Sequence, residues 1–153
     1  MKSDMINPFL TATANVLSTM AMLTPETGKP YLKKGKTAIG DISGIIGMTG
    51  HSKGVVVLSF SKEAICKIVG SMLGEEYTEI TSDISDAVGE LTNMISGDAR
   101  RRLVEAGYTF EAGLPTIVSG KGHEIESVTS GPVIVMPFTV DGHKFVVEAS
   151  FDD

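Results

Sequence analysis

The chain has 153 residues, 42% of them apolar, which is enough for the hydrophobic core of one domain over residues 1–153. Its formal net charge of −6 argues against non-specific binding to nucleic acid, which requires a basic surface. The lack of a long apolar run argues against a transmembrane helix, and because we find no signal peptide and a single cysteine, Cys66, we expect a reduced cytoplasmic protein.

The first part of the chain predicts one helix followed by two strands. Asn7 and Pro8 are expected to open the helix, because proline is favoured at the first helical position. The stretch 25–36 is rich in Pro, Gly and Lys and predicts a loop. Residues 38–48 alternate loosely between apolar and other residues and predict a strand. Residues 54–60 form a continuous run rich in β-branched residues, which predicts a strand buried on both faces.

The second part predicts two helices followed by three strands. Ser61 is expected to cap the first helix, and Gly74 to end it. The next helix is expected to run to about residue 106, and its N-cap is one of Thr81, Ser82 or Asp83. The three strands are expected over residues 112–120, 131–140 and 144–151. A hairpin turn at Asp141-Gly142 joins the last two, and the order of elements indicates an α+β fold.

The second of these helices carries the pattern D-x-x-x-E-x-x-N over residues 86–93. An α-helix advances about 100° per residue, so with Asp86 at zero, Glu90 falls at about 40° and Asn93 at about −20°. Gly97 falls at about 20°, on the same face. The apolar residues of the helix fall between about 140° and 220°: Ile84, Val88, Leu91, Ile95 and Ala99. The apolar stripe is therefore expected to face a core, and the acid-amide stripe to face solvent or a partner.

The pattern resembles the signature of the bacterial CheC, CheX and FliY phosphatases, which dephosphorylate the chemotaxis response regulator CheY. That signature places Asp or Ser, then Glu, then Asn on one helix, with a proline further along the chain. Pro115 follows Asn93 at a compatible distance. The length and the order of elements are also similar to CheX. The resemblance implies a CheC/CheX-like single domain, with a mixed or antiparallel sheet packed against long helices.

CheC proteins carry two copies of the motif and CheX proteins carry one. In the first predicted helix Asn15 matches the amide of a second copy, but Pro8 stands where Asp or Ser should be and Ala12 stands where Glu should be. With a single intact copy of the motif, the chain resembles CheX more than CheC. Asn15 is expected to be a structural or capping residue.

The resemblance implies a phosphatase whose substrate is a CheY-like receiver domain carrying phospho-aspartate. Asn93 would position the attacking water, and Glu90 would dock the active-site lysine of the receiver. Asp86 would have a docking role, a favourable interaction with the helix dipole, or both. Gly97 would let the receiver approach closely, or else pack tightly against a strand of its own domain. No cofactor is expected in this chain, because the receiver holds its own Mg²⁺.

Two other functions remain open on the sequence. The chain could be a non-catalytic adaptor that binds the receiver, or a structural module of the flagellar switch. A homodimer is expected, since CheX proteins pair strands across subunits and exposed sheet edges favour this.

Other conspicuous residues carry weaker signals. The run of three arginines at residues 100–102 is either a docking patch for an acidic receiver or a solvated run that complements the helix dipole. Cys66 lies among apolar residues and is expected in the core. No metal site is expected. The three histidines, His51, His123 and His143, are far apart in the sequence, and none has another possible ligand at metal-binding spacing.

Overall fold

The structure is a computed structural model that describes residues 3–126 and 128–152. Within these residues lie three helices, α1 (Ser3–Ala21), α2 (Lys62–Leu73) and α3 (Ser82–Glu105). The strands are β1 (Glu26–Thr27), β2 (Tyr31–Leu32), β3 (Ile42–Gly50), β4 (Gly54–Phe60), β5 (Phe110–Ala112), β6 (Thr116–Ser119), β7 (Ile134–Val140) and β8 (His143–Phe151). None of the described helices is long and apolar enough to cross a membrane.

The strands form one antiparallel sheet in the order β1-β7-β8-β4-β3-β5. Two further short strands extend it, because β2 also pairs with β7 and β6 also pairs with β3. The core lies between one face of this sheet and the three helices. The central strand β4 is buried along its whole length, as predicted. This architecture confirms the α+β class and the antiparallel arrangement of the sheet.

Helix α1 begins before the predicted start at Asn7, and Pro8 lies inside it. The prediction of the start was wrong because tertiary contacts hold the turn before the proline. Met5 is 8% exposed and belongs to the core. The hydroxyl of Tyr108 donates a hydrogen bond to Asp4 Oδ2 at 3.1 Å. A proline near a helix start removes one intrahelical hydrogen bond, and these contacts offset that loss.

Four further segments differ from their predicted boundaries by more than one residue, and one of them, the strand predicted over residues 131–140, begins only at Ile134. The predicted loop over residues 25–36 contains β1 and β2, which form only because β7 offers them a paired edge. Strand β3 starts four residues later than the predicted residue 38 and runs on to Gly50. The predicted strand over residues 112–120 is split into β5 and β6 around Pro115, which has no backbone N–H to donate to a ladder.

The local capping and turn signals are confirmed. Ser61 accepts a hydrogen bond from a first-turn amide of α2 at 3.1 Å, and Gly74 ends that helix in the left-handed conformation. Thr81 caps α3 in the same way as Ser61 caps α2. Asp141 and Gly142 have φ of 48° and 79°, as a tight two-residue hairpin turn requires.

A close contact with β3 fixes the position of α3. The predicted apolar stripe of α3 is fully buried, since five residues are each 0% exposed: Ile84, Val88, Leu91, Ile95 and Ala99. On β3, a Cβ placed on Gly44 would lie 2.0 Å from Thr92 Oγ1 and 3.2 Å from Val88 Cγ1. The Thr92 hydroxyl is itself buried and donates to the Val88 carbonyl at 2.7 Å. The helix therefore approaches the strand at a distance that only glycine permits.

On the other face of the sheet, a buried ion pair holds the segment that follows β2. Lys33 Nζ lies 3.0 Å from Glu148 Oε1, and the two side chains are 7% and 3% exposed. Burial raises the pKa of Glu148 above its ordinary value, and the hydrogen bond and charge of Lys33 offset only part of this increase. The pair ties this segment to β8 on the side of the sheet away from the helices.

We expect Gly44→Ala to lower the free energy of unfolding by about 1–3 kcal/mol, because the new methyl group overlaps the Thr92 hydroxyl and pushes α3 away from β3. Urea denaturation measures the change. Gly47→Ala, on the same strand, is the matched control, since a Cβ there meets no atom within 4 Å. Equal stability of the two variants would show that the Gly44 contact does not set the position of α3.

Candidate active site

The acid-amide stripe lies on the exposed side of α3. Asp86, Glu90 and Asn93 are all exposed, on the side of the helix opposite its buried stripe, as the helical periodicity predicted. None of the three side chains forms a hydrogen bond or an ion pair with another residue of the described ranges. Glu90 and Asn93 are three residues apart, so their Cα atoms are separated by about 4.5 Å along the helix axis. An amide and a carboxylate are thus presented together, without internal partners.

These side chains line one wall of an open groove of about 790 Å³. Asp86, Glu90 and Asn93 form the part of the lining on α3, Leu73 forms a part at the end of α2, and Pro115 forms another part. Pro115 comes from the connection between β5 and β6. The structure therefore brings the predicted proline and the predicted amide into one site, although they are distant in sequence.

Gly97 also lies on this face, beyond the groove lining. A Cβ placed on it would meet only Arg100 Nη2, at 4.0 Å. Gly97 does not pack against a strand, so that interpretation was wrong, and the alternative of a close approach by a partner stays a prediction. Gly89 differs, because a Cβ there would lie 3.8 Å from Ile117 Cδ1 on β6.

The arginine run after Gly97 divides into two parts. Arg101 and Arg102 both bind the carboxylate of Asp98, the latter at 3.1 Å. Burial alone would raise the pKa of Asp98, but the hydrogen bonds from Arg102 and Arg101 outweigh it and lower that pKa below its ordinary value. Asn15 Nδ2 on α1 also donates to Asp98, at 3.4 Å, which supports a structural role and excludes helix capping. Arg100 takes no part in this cluster.

A sequence model of the family described as "Chemotaxis phosphatase CheX" matches residues 42–139, which include all of α3 and the groove proline. The chain belongs to this family. It is 29% identical to "CheY-P phosphatase CheX" of Thermotoga maritima over 141 residues, which cover 92% of this chain and 90% of the relative. The CheX resemblance predicted from the motif is confirmed.

Solved structures of related proteins share the fold. A CheC-like superfamily protein from Shewanella sp. PV-4 matches this CheX-family chain with a TM-score of 0.93 and 43% identity, covering 100% of both chains. A chain of the CheX–CheY–BeF₃–Mg²⁺ complex from Borrelia burgdorferi matches with a TM-score of 0.84 and 25% identity, covering 99% of this chain and 100% of that one.

A second cavity of this CheX-family protein, of about 640 Å³, lies beside α2 and is lined in part by Lys62, Cys66 and Tyr77. The Cys66 thiol is buried and lies 3.7 Å from the Glu79 carbonyl oxygen, to which it donates. Burial raises the pKa of this thiol, so the nucleophilic thiolate is disfavoured. Cys66 therefore belongs to the core, as predicted, and offers no competing site.

Ser43 and His123 form a pair that resembles a nucleophile and its base. Ser43 Oγ lies 2.8 Å from His123 Nε2, and Nδ1 of the same ring lies 2.7 Å from the Gly120 carbonyl oxygen. Because a carbonyl can only accept, Nδ1 donates to Gly120, and Ser43 Oγ also donates to Ser59 Oγ at 2.9 Å. Ser43 is 0% exposed, however, so no substrate reaches its hydroxyl. This pair is a structural hydrogen-bond network in the sheet.

Sequence patterns did not single out two exposed apolar residues at the groove. Leu73 lines the groove and is 55% exposed, and Leu114, which directly precedes Pro115, is 89% exposed. Each stands beside a residue that ends an element, but single exposed leucines are common and give no specific signal. Leu73 is therefore an exposed apolar part of the groove lining, whereas Leu114 adjoins the groove only through its chain neighbour Pro115.

Proposed function

We propose that this protein is a phosphatase that hydrolyses the phospho-aspartate of a CheY-like receiver in chemotaxis, with Asn93 positioning the water and Glu90 docking the receiver lysine. The observation that carries the proposal is the exposed, unpartnered pair formed by Glu90 and Asn93 on one groove. The Thermotoga relative named as a CheY-P phosphatase and the Borrelia complex of CheX with CheY support the substrate.

In the hydrolysis of phospho-aspartate, the role proposed for Asn93 is to orient the attacking water. An acyl phosphate is already activated, so the slow requirement is a water in line with the phosphorus atom. Phosphoryl transfer is catalysed mostly by positioning and charge stabilisation. The side-chain amide of Asn93 offers both an acceptor and donors, and can hold a water molecule without removing its proton. Asn93 is therefore a positioning residue for the water and not a general base.

Glu90 is suited to binding a lysine of the receiver. Its carboxylate is exposed one helical turn from Asn93 and has no cationic partner among the described residues, so nothing within them competes with an ammonium group. Docking the lysine there would bring the phosphorylated aspartate into register with Asn93. Asp86 lies beyond the first turn of α3, where the helix dipole has little effect, so docking is its better role.

We place the Mg²⁺ of the reaction on the receiver and both proteins in the cytoplasm. Across residues 3–126 and 128–152, no group of three His, Cys, Asp or Glu side chains is arranged to hold a metal ion. The two carboxylates of the stripe, Asp86 and Glu90, are left to bind cationic groups of the partner. Retention of both Glu90 and Asn93 favours an enzyme over an adaptor of the same fold.

Asn93→Ala should reduce the acceleration of phosphate release by about a hundredfold, because it removes the group that orients the water. Glu90→Ala should lower the acceleration and raise the receiver concentration needed for half-maximal rate. The measurement is phosphate release from a CheY-like receiver with excess small-molecule phosphodonor.

Matched controls for these two variants are Asn7→Ala and Glu105→Ala, which remove an exposed amide and an exposed carboxylate outside the groove lining. Both should keep the wild-type rate. If the wild-type protein binds the phosphorylated receiver without speeding release, the protein is an adaptor and the motif is a contact surface.

Gly97→Ala should raise stability while lowering activity. Alanine is favoured over glycine in a helix by about 1 kcal/mol, and the new methyl group meets no close neighbour in the protein. The same methyl group would obstruct a receiver loop that approaches α3. Thermal unfolding and phosphate release measure the two effects. A variant that is more stable and fully active would show that no partner approaches at Gly97.

We also propose a homodimer formed by strand pairing. The sheet ends on short strands, β1 and β2 at one side and β5 and β6 at the other, and such edges leave backbone groups free to pair with a second copy. Light scattering at micromolar concentration should give twice the chain mass of 16.2 kDa. A monomer under these conditions would contradict the dimer.

A further inference from the structure

We propose that Arg100 is a second electrostatic anchor for the receiver, binding a carboxylate on the receiver surface while Glu90 binds its lysine. This inference rests on the proposed function, because it names a further contact of the same docking face. It assigns to Arg100 a role in binding and orientation and none in the chemical step.

Arg100 lacks the internal partner that its two neighbours have. Arg101 and Arg102 are bound to Asp98, whereas Arg100 forms no ion pair or hydrogen bond with the described residues. Its Nε is shielded from solvent and has no hydrogen-bond partner among them. Buried polar atoms without partners are rare in native proteins and call for an explanation. A guanidinium held in this way keeps its terminal nitrogen atoms available for an external anion.

The position of Arg100 places its charge next to the proposed site. Arg100 follows Asn93 by seven residues, so it falls about 20° from Asn93 around the helix and about 10 Å along it. Long side chains in helices point back towards the N-terminus. Arg100 does so, since its Nη2 lies 4.0 Å from where the Cβ of Gly97 would be. The guanidinium therefore lies over Gly97, between its own backbone and Asn93.

The charges along this side of α3 change sign from one end of the helix to the other. The N-terminal half of the helix carries the exposed carboxylates of Asp86 and Glu90, and the C-terminal half carries the cation of Arg100, which is half-buried. The Cα atoms of Glu90 and Arg100 are about 15 Å apart along the helix axis. A partner with a lysine at one end of its contact face and a carboxylate at the other fits in one orientation, because the reversed orientation juxtaposes like charges. The planar guanidinium fork suits a carboxylate in particular.

The test compares Arg100→Gln, Arg100→Glu and Arg100→Lys in receiver-dependent phosphate release. We expect Arg100→Gln to raise KM about threefold to tenfold with kcat within about twofold of wild type, and added salt to reduce the difference. Arg100→Glu should raise KM further, and Arg100→Lys should recover part of the loss.

Arg102→Gln is the matched control, since it removes the same charge from the same helix at a residue already paired with Asp98. Its KM should stay within about twofold of wild type, and thermal unfolding checks that it is folded. The anchor is overturned if Arg100→Gln and Arg100→Glu leave KM unchanged, or if Arg102→Gln raises it equally. It is also overturned if Arg100→Gln lowers kcat and leaves KM unchanged, because the guanidinium would then act on the reacting phosphoryl group.

Equilibrium titration with the phosphorylated receiver separates this inference from the proposed function. If the wild-type protein does not accelerate phosphate release, the phosphatase proposal fails. The ratio of Kd values between Arg100→Gln and wild type still tests the anchor, with the same expected increase of threefold to tenfold. If Asn93→Ala abolishes turnover but the Arg100 variants bind as wild type, only the anchor fails.

Discussion

The approach of α3 to β3 at Gly44 is the constraint on which the site depends. The missing side chain lets the buried Thr92 hydroxyl lie against the strand, and this contact sets how closely the helix approaches the sheet. Because one face of α3 is fully committed to the core, the opposite face is presented as a rigid unit. Asn93 and Glu90 thus stand on a packed helix and not on a loop, which suits a mechanism that relies on positioning.

The charged side chains of α3 fall into two groups, those that form ion pairs within the protein and those that do not. Asp98 accepts hydrogen bonds from Arg101, Arg102 and, on α1, Asn15. The hydrogen bonds from the two arginines lower the pKa of Asp98 in spite of its burial. Asp86, Glu90 and Arg100 have no such partners within the described residues. Groups without internal partners lose less when they bind an external charge, because no existing ion pair has to break. A partner that bound these three groups would break no ion pair among the described residues.

Apolar groups around the groove complement this charged stripe. Leu73 is exposed in the groove lining, Leu114 is exposed directly before Pro115, and Pro115 restricts the backbone of the connection that contributes to the groove. A protein partner that covers these side chains would remove apolar area from water, while the charged groups set its orientation. A surface that combines apolar contacts with orienting charges agrees with a phosphatase whose substrate is a folded domain and not a small molecule.

The sequence by itself determined whatever depends on neighbouring residues. The periodicity of α3 predicted which face is buried, and Ser61, Gly74 and the Asp141-Gly142 turn predicted where elements begin and end, because caps and tight turns are made within a few residues. The motif also predicted the family and the candidate site on α3. Tertiary structure alone decided the rest. The start of α1 depends on contacts of Asp4 and Met5 with distant residues, β1 and β2 form only on the edge of β7, and Pro115 meets Asn93 only through the fold. Asp98 lies three and four residues before Arg101 and Arg102, so helical spacing already selects those two arginines as its partners, and only the contact of Asp98 with Asn15 on α1 depends on the fold. Contacts of this kind join residues that are far apart in the chain, and no local pattern encodes them.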